Sequence, residues 1–500
     1  MGLLVMKRGH IKAKTDYMKL RLLFTNPLTK KTLQYLLAST DGGKTRLEDL
    51  MDRIATGEKP QKFLERPVYS LVQTVAKAIG IPKEKLSEYM AHPNIRRTIL
   101  NAALSVQEYG LNLPMTFYAP LMIVWNITYT CNLRCKHCYE NAGSLRPKEL
   151  GMGELSREEK LRLVDEIADS HIPTLSFSGG EPLLCKDFWA VVEKARERGL
   201  YLSMNSNGVL ITPEIARRLK ENDFAYVAVS IDSANPEKHD FFRGVKGAWE
   251  RSIQGIKNII EAGGNAILSV TVTKYNYDEF QDILELGKKL GVYKVMVYNF
   301  IPTGRGKEIW NSDLTPEEKE SILQQMYDFL GEGGSLCTTA PQLGRICLDR
   351  DKPEFAPIAH LGTGKAKDLS LLAELIGGCG VARAYMAIQP DGTITPCVYM
   401  PEVHLGHIKT DRILDVWHNH PFLNRLRDRK LLSGACGSCE FNKACGGCRA
   451  RALAYFGDPM APDPGCIKNK EYYENFVKMH PEIYQSIQDE NLYNNVEGRI

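Results

Sequence analysis

Three cysteines, Cys131, Cys135 and Cys138, stand directly behind an apolar run, Leu121-Met-Ile-Val-Trp125. The run reads as a buried strand. The Cys-x3-Cys-x2-Cys spacing then puts three thiols on one short loop at the strand's end. Three thiolates can hold three corners of a [4Fe–4S] cube and leave the fourth iron open to a ligand. A structural zinc site asks instead for four closed ligands, commonly in Cys-x2-4-Cys pairs. The nearest fourth candidate, His137, lies inside the motif itself.

Downstream, six short runs rich in β-branched residues alternate with amphipathic stretches: 121–128, 173–178, 201–205, 226–231, 266–273 and 294–299. Ser156-Arg-Glu-Glu159 predicts a capping box ahead of a helix. Thr212-Pro213 and Thr315-Pro316 predict helix starts with proline at the first helical position. Strands alternating with helices predict a parallel sheet. The alternation alone fits a partial barrel or a doubly wound sheet. In either, chemistry collects beyond the carboxyl ends of the strands. The distinctive polar residues sit there: Ser178-Gly179-Gly180-Glu181-Pro182, Asn205-Ser-Asn207-Gly208, Ser230-Ile-Asp232-Ser233 with His239 to Gly244, and Pro302-Thr-Gly-Arg305-Gly306 after Asn299.

The cysteine motif followed by a strand and Gly-Gly-Glu resembles the radical SAM superfamily. That resemblance implies an α/β fold, a partial (β/α)6 TIM-like barrel. It implies a [4Fe–4S] cluster on Cys131, Cys135 and Cys138 that binds S-adenosylmethionine (SAM). Gly179, Gly180 and Glu181 would hold SAM's methionine amino group. Asn207, Ser230 and Asp232 would hydrogen-bond its ribose or carboxylate, and Arg243 would pair with the carboxylate. The family's reaction is reductive cleavage of SAM to a 5′-deoxyadenosyl radical, which abstracts hydrogen from a substrate. Trp125, Phe177 and Tyr139 are expected to line a site that excludes water. A reductant such as ferredoxin or flavodoxin is the implied partner.

Residues 379–466 resemble the SPASM extension, with Cys379, Gly392 and Cys397 followed by Cys436-x2-Cys439-x5-Cys445-x2-Cys448 and Cys466. The family's last spacer in the quartet is three residues; here it is two. Asp391-Gly392 predicts a hairpin turn. By resemblance, Cys379, Cys397 and Cys448 hold one auxiliary cluster, and Cys436, Cys439, Cys445 and Cys466 hold a second. Two cubes need eight ligands, so Cys347 is the expected eighth and Cys337 its alternative. Cys185 reads as a buried apolar residue. Sulfatase-maturing members carry an acid after the cysteine equivalent to Cys397. The residue here is Val398, which sets against that activity. The quartet is also similar to haem-pathway decarboxylases and to peptide maturases. The expected function is therefore peptide or protein maturation, with a tetrapyrrole or lipid substrate as the alternative. A non-catalytic electron carrier is disfavoured by the open three-cysteine site.

The chain has 500 residues and 13 cysteines, and its basic start, with no long apolar run, is not expected to act as a secretory leader. A cytoplasmic, anaerobic setting is expected. Residues 1–31 hold eight Lys/Arg against one Asp, a net +7 in a chain that totals +4. Such an arm suits an acidic surface, including peripheral contact with an anionic membrane. The charge-free segment 109–133 is broken by Asn112, Pro114, Pro120 and Asn126, so it reads as a linker plus a strand and not a transmembrane span. The expected organisation is a helical region with its basic arm (1–117), the barrel core (118–330), a connecting insertion (331–378), the cysteine-rich extension (379–472) and a tail (473–500).

Overall fold

The computed structural model of the chain describes residues 24–40, 43–58, 85–143, 153–349, 354–358, 362–365 and 375–482, with a few isolated positions beside them. Most of the basic arm, and residues 70–84 of the region expected to be helical, lie outside the described residues.

Four helices come first: α1 (Pro27–Leu37), α2 (Arg46–Ala55), α3 (Leu86–Ala91) and α4 (Pro93–Tyr109). Thr45 caps α2 with a full capping box to Glu48. Leu36, Leu50, Met51, Ile54, Met90 and Leu100 form a core of their own. The far side of α4 docks under the barrel. Its Asn101 donates to the carbonyls of Ala119 (3.0 Å) and His171 (3.3 Å), and Arg97 donates to that of Gly199 (2.9 Å). These carbonyls precede the first three barrel strands. The helical body therefore covers the amino-terminal mouth and leaves the opposite mouth for chemistry.

The six expected strands are β1 (Met122–Thr128), β2 (Thr174–Gly179), β3 (Tyr201–Ser206), β4 (Phe224–Ser230), β5 (Ala266–Val272) and β6 (Lys294–Asn299), paired in parallel in that order. A seventh, β7 (Leu336–Thr338), continues the sheet beside β6. Residues 355–358 and 362–365 (β8 and β9) make a separate antiparallel hairpin. The other edge is extended from the far end of the chain. Strand β10 (Tyr385–Ile388) pairs in parallel with β1, Met122 opposite Tyr385, and carries β11 (Thr393–Thr395) and β12 (Gly406–His407) antiparallel beyond it. Gly392, at φ +99°, closes the β10–β11 turn where Asp391-Gly392 was expected.

Helices α5 (Arg157–Asp169), α6 (Phe188–Glu197), α7 (Pro213–Glu221), α8 (Pro236–Arg243), α9 (Ala248–Glu261), α10 (Phe280–Leu290) and α11 (Pro316–Gly331) alternate with the strands. Ser156 and Thr315 make the capping boxes, and Thr212 accepts from Ile215 N–H, as their sequences predict. Period-two alternation divides each strand between two cores. On β1, Ile123, Trp125 and Ile127 face the helices, whereas Val124 faces the bore. Trp125 and Phe177 thus belong to the helix-facing core, 6.3 Å apart, and do not line the site as expected; Tyr139 does. Each such fully buried side chain contributes about 1.5–3 kcal/mol.

After α12 (Leu343–Leu348), the extension adds α13 (Ile413–Asn419), α14 (Pro421–Arg427), α15 (Gly434–Ser438), α16 (Arg449–Phe456) and α17 (Lys470–Met479). Trp417, fully buried, donates to Phe117 O at 2.9 Å and pins the extension to the segment entering β1.

Candidate active site

The loop after β1 is held from two sides. The end of α8 accepts from it: Arg134 N–H reaches Arg243 O and Lys136 N–H reaches Phe242 O, each at 3.0 Å. Arg305, beyond β6, donates to Cys135 O (2.9 Å), Ala142 O (2.7 Å) and Asn141 Oδ1 (3.1 Å). Gly304 packs so tightly on the Cys138 and Tyr139 carbonyls that any side chain would collide, and its φ of +56° also favours glycine. Backbone amides of Leu133 and Ala142 donate to Cys131 Sγ and Cys138 Sγ, each at 3.4 Å. Arg243 Nη1 lies 3.5 Å from Cys135 Sγ. Burial pushes the Cys131 thiol up to about 12. A metal binding here must displace that proton, so loading will release acid.

The Gly-Gly-Glu turn follows β2, but its glycines answer to the protein itself. A Cβ on Gly179 would stand 2.7 Å from Thr128 O, and one on Gly180 would strike Thr130 O. The turn is stitched to the cysteine loop by Gly180 N–H to Thr128 O and Glu181 N–H to Thr130 O, both 2.8 Å. Glu181 is fully buried and braces the loop after β3, accepting from Ser206 Oγ and Asn207 N–H at 2.9 Å. Desolvation raises its carboxyl to about 7 against these hydrogen bonds.

Asn207 and Ser230 line one wall of a cavity of about 210 Å³ that opens at the carboxyl ends of the strands, with Gly179, Gly180 and Arg243. Asp232 does not line it. Its carboxylate lies under the loop, 2.7 Å from Arg243 Nη2 and 3.6 Å from His137 Nε2, and accepts from Thr271 N–H at 3.0 Å. The Arg243 contact is electrostatic more than directional, since Asp232 Oδ2 has no aligned donor. Asp232 and Arg243, expected to touch SAM, face each other. His137 stacks on Phe242 at 4.6 Å, and burial lowers its ring to about 4, so it is neutral near pH 7.

The same cavity reaches the extension. Cys131, Cys135 and Cys138 line it from one side, Cys379, Cys397 and Cys448 from the other. Burial pushes the Cys448 thiol well up, with Cys379 and Cys397 beside it. The same cavity is lined by Tyr139, Tyr226, Tyr298, Tyr385 and Tyr399. Tyr139 packs on Tyr399 with ring centroids 5.0 Å apart. Of these only Tyr139 was anticipated. The inward register of Tyr226 and Tyr298 on β4 and β6, and the place of Tyr399 two residues past Cys397, were the available signals.

A second, smaller cavity gathers Cys436, Cys439, Cys445 and Cys466 with Arg345 and Asn469. Cys347 lines neither cavity. It is fully buried on α12 in the main apolar core, two residues from Arg345. Cys337 faces the bore low in the barrel, its sulfur 3.4 Å from that of Met296. Neither stands beside Cys379, Cys397 and Cys448 along the cavity wall, so the fourth position there has no cysteine among the described lining residues. Cys185 is buried as expected, but Lys160 Nζ lies 3.4 Å from its sulfur.

The radical SAM superfamily pattern matches residues 125–287, and the SPASM iron–sulfur cluster-binding domain matches residues 379–448. The AdoMet-dependent heme synthase of Methanosarcina barkeri is 36% identical over 351 residues, which span 70% of this chain and 97% of that protein. The mycofactocin maturase MftC of Mycobacterium ulcerans is 32% identical, over 72% of this chain and 90% of its own. Among solved structures, Streptococcus suis SuiB bound to its precursor peptide SuiA superposes with a TM-score of 0.59 at 16% identity, covering 85% of this chain and 93% of SuiB, a likeness of fold. With two clustered cysteine sets facing one cavity at the carboxyl ends of a parallel barrel, and with relatives matched along nearly their whole length, this chain belongs to the radical SAM superfamily and carries a SPASM extension.

Proposed function

We propose that this radical SAM enzyme matures a peptide or protein, removing a hydrogen atom from a segment that enters the cavity between the two cysteine sets. In this reading Cys131, Cys135 and Cys138 hold the SAM-binding cube. Cys379, Cys397 and Cys448 hold one auxiliary cluster, and Cys436, Cys439, Cys445 and Cys466 the other. When bound, the reduced first cube would supply one electron to SAM, whose sulfur–C5′ cleavage would furnish methionine and the radical that takes the substrate's hydrogen. Gly179, Gly180, Asn207 and Ser230 form the wall against which SAM lies. Glu181 acts through Ser206 and Asn207, and Asp232 through Arg243. A ferredoxin- or flavodoxin-type protein delivers the electron in a cytoplasmic, anaerobic setting.

The observation that supports a peptide is the charge of the cavity. No Lys, Asp or Glu stands among its described lining residues. Its two cations are already engaged, Arg243 by Asp232 and Arg305 by loop carbonyls. Apart from the six cysteines and His137, the rest is hydroxyl, amide, aromatic and aliphatic. A buried carboxylate without a cation costs several kcal/mol or stays protonated. A peptide backbone is uncharged and finds donors and acceptors in these groups. The test is to add SAM and dithionite anaerobically to the reconstituted enzyme, measure 5′-deoxyadenosine, and then titrate the enzyme with an iron tetrapyrrole bearing propionates. The reading expects 5′-deoxyadenosine and no tight change in tetrapyrrole absorbance. Stoichiometric tetrapyrrole binding at micromolar concentration would overturn the peptide assignment.

That second reading, decarboxylation of a tetrapyrrole, is favoured by one observation, the 36% identity to a heme synthase across 97% of its length.

A further inference from the structure

Between the two cavities of the extension lies one fully buried residue, Asp463, that belongs to neither wall. Its backbone N–H donates to Cys436 Sγ at 3.4 Å. Its carboxylate accepts from Cys448 N–H at 2.7 Å. Cys436 is in the four-cysteine cavity and Cys448 in the three-cysteine group. One side chain and its own amide therefore connect both sites. We infer that Asp463 is a positioning residue that ties the reduction potentials of the two auxiliary clusters together, while Asn469 tunes only the cluster held by Cys436. This rests on the auxiliary ligand sets proposed above.

The charge balance around Asp463 gives the inference its sign. Oδ1 lies 3.5 Å from Arg451 Nε and accepts from Gly465 N–H at 2.9 Å, and Oδ2 also accepts from Gln342 Nε2 at 2.5 Å. Arg451 turns its Nη2 to Asp313 at 2.7 Å, and Asp313 also holds Lys319 Nζ at 2.5 Å. All four charged groups are buried. Two carboxylates thus meet two cations in a balanced network behind the clusters. Buried charge is weakly screened, so neutralising Asp463 leaves a net positive network against both sites. Positive charge and N–H donors favour the more electron-rich reduced cluster and raise its potential. Asn469 is more local. Its Nδ2 donates to Cys436 Sγ at 3.3 Å and to Asp463 O at 3.0 Å, and it bonds to none of Cys379, Cys397 and Cys448. Arg449 Nη2 adds a third, longer donor to Cys436 Sγ at 3.9 Å.

The test is a redox titration of the reconstituted enzyme followed by electron paramagnetic resonance. Asp463→Asn should shift two of the three cluster potentials upward and leave the third, that of the SAM-binding cube, unmoved. Gln342→Leu bares the Asp463 charge and should shift the same two downward. Asn469→Ala should shift one of those two downward and no other. The inference is overturned if Asp463→Asn moves one potential or none in protein with full iron content, or if Asn469→Ala moves both. Should Asp463→Asn lose iron, Gln342→Leu decides: two potentials falling together support the inference, and any other pattern ends it. A wild-type protein that takes up only about four irons refutes the auxiliary ligand sets themselves, a different failure.

Discussion

Replacing Asp232 with asparagine removes one charge from beneath the cysteine loop and keeps the shape. The wild-type pair holds Arg243 Nη2 at 2.7 Å from an Asp232 carboxylate that is fully buried. At an effective dielectric of about 20, two unit charges at that distance attract by about 6 kcal/mol. Desolvation of both groups offsets part of this. Losing one partner of a buried pair costs about 3–5 kcal/mol, because the remaining charge stays buried alone. The substituted amide oxygen can still accept from Thr271 N–H, so the loss reports on Arg243. The double variant Asp232→Asn/Arg243→Met removes both charges and should recover most of the loss. The assay is anaerobic urea unfolding of the single and double variants, compared by midpoint at unchanged slope. The single variant should lose about 3–5 kcal/mol. The reasoning fails if the single variant loses less than about 1 kcal/mol, the range of a surface pair, or if the double variant loses as much as the single.

Other expectations are simpler. Cys135→Ala should abolish 5′-deoxyadenosine formation, whereas Cys439→Ala should retain some of it; equal losses would make the second auxiliary site a structural one. Cys347→Ser should leave iron content and cluster spectra unchanged, since Cys347 packs in the apolar core; loss of iron would restore it as a ligand. Glu181 titrates near pH 7 when folded, against an ordinary value of 4.5. The folded chain therefore holds a proton that the unfolded chain releases, and stability falls by on the order of 3 kcal/mol as pH rises from 4.5 to 7. Glu181→Gln should flatten that slope in unfolding midpoints taken across the range; an unchanged slope would contradict the assignment. Removing residues 1–31 should leave SAM cleavage intact and weaken binding to anionic vesicles at low salt; unaltered vesicle binding would reduce the arm to a solvated tail.

Much of the barrel was legible because it is local. Alternating apolar runs and capping residues such as Ser156, Thr212 and Thr315 each announce their element within a few positions. β7 was missed because three residues, Leu336–Thr338, carry too little periodicity. The pairing of β10 with β1 joins residues more than 250 apart, and no local pattern encodes it. At the site, the cysteine loop and Gly-Gly-Glu stood out, yet the reason for the glycines differed: Gly179 and Gly180 yield to the Thr128–Thr130 backbone. Asp232 and Arg243 both follow β4, and only the fold reveals that they face each other, with Arg243 on the cavity wall and Asp232 behind it. The meeting of Cys379, Cys397 and Cys448 was anticipated by resemblance, not by spacing. Arg305, Tyr298 and Tyr399 come together from β6 and the extension, so their common cavity is a tertiary fact. Cys347 was proposed by counting ligands; its burial on α12 depends on packing that a count cannot see.

Ten cysteines holding three cubes, one of which cleaves SAM, is the arrangement proposed for this enzyme. The most direct measurement is iron per chain after anaerobic reconstitution, taken with 5′-deoxyadenosine formed from SAM under dithionite. Three cubes require about twelve irons, and 5′-deoxyadenosine that vanishes in Cys135→Ala. About four irons with zinc in the extension, or full iron without 5′-deoxyadenosine, would contradict it.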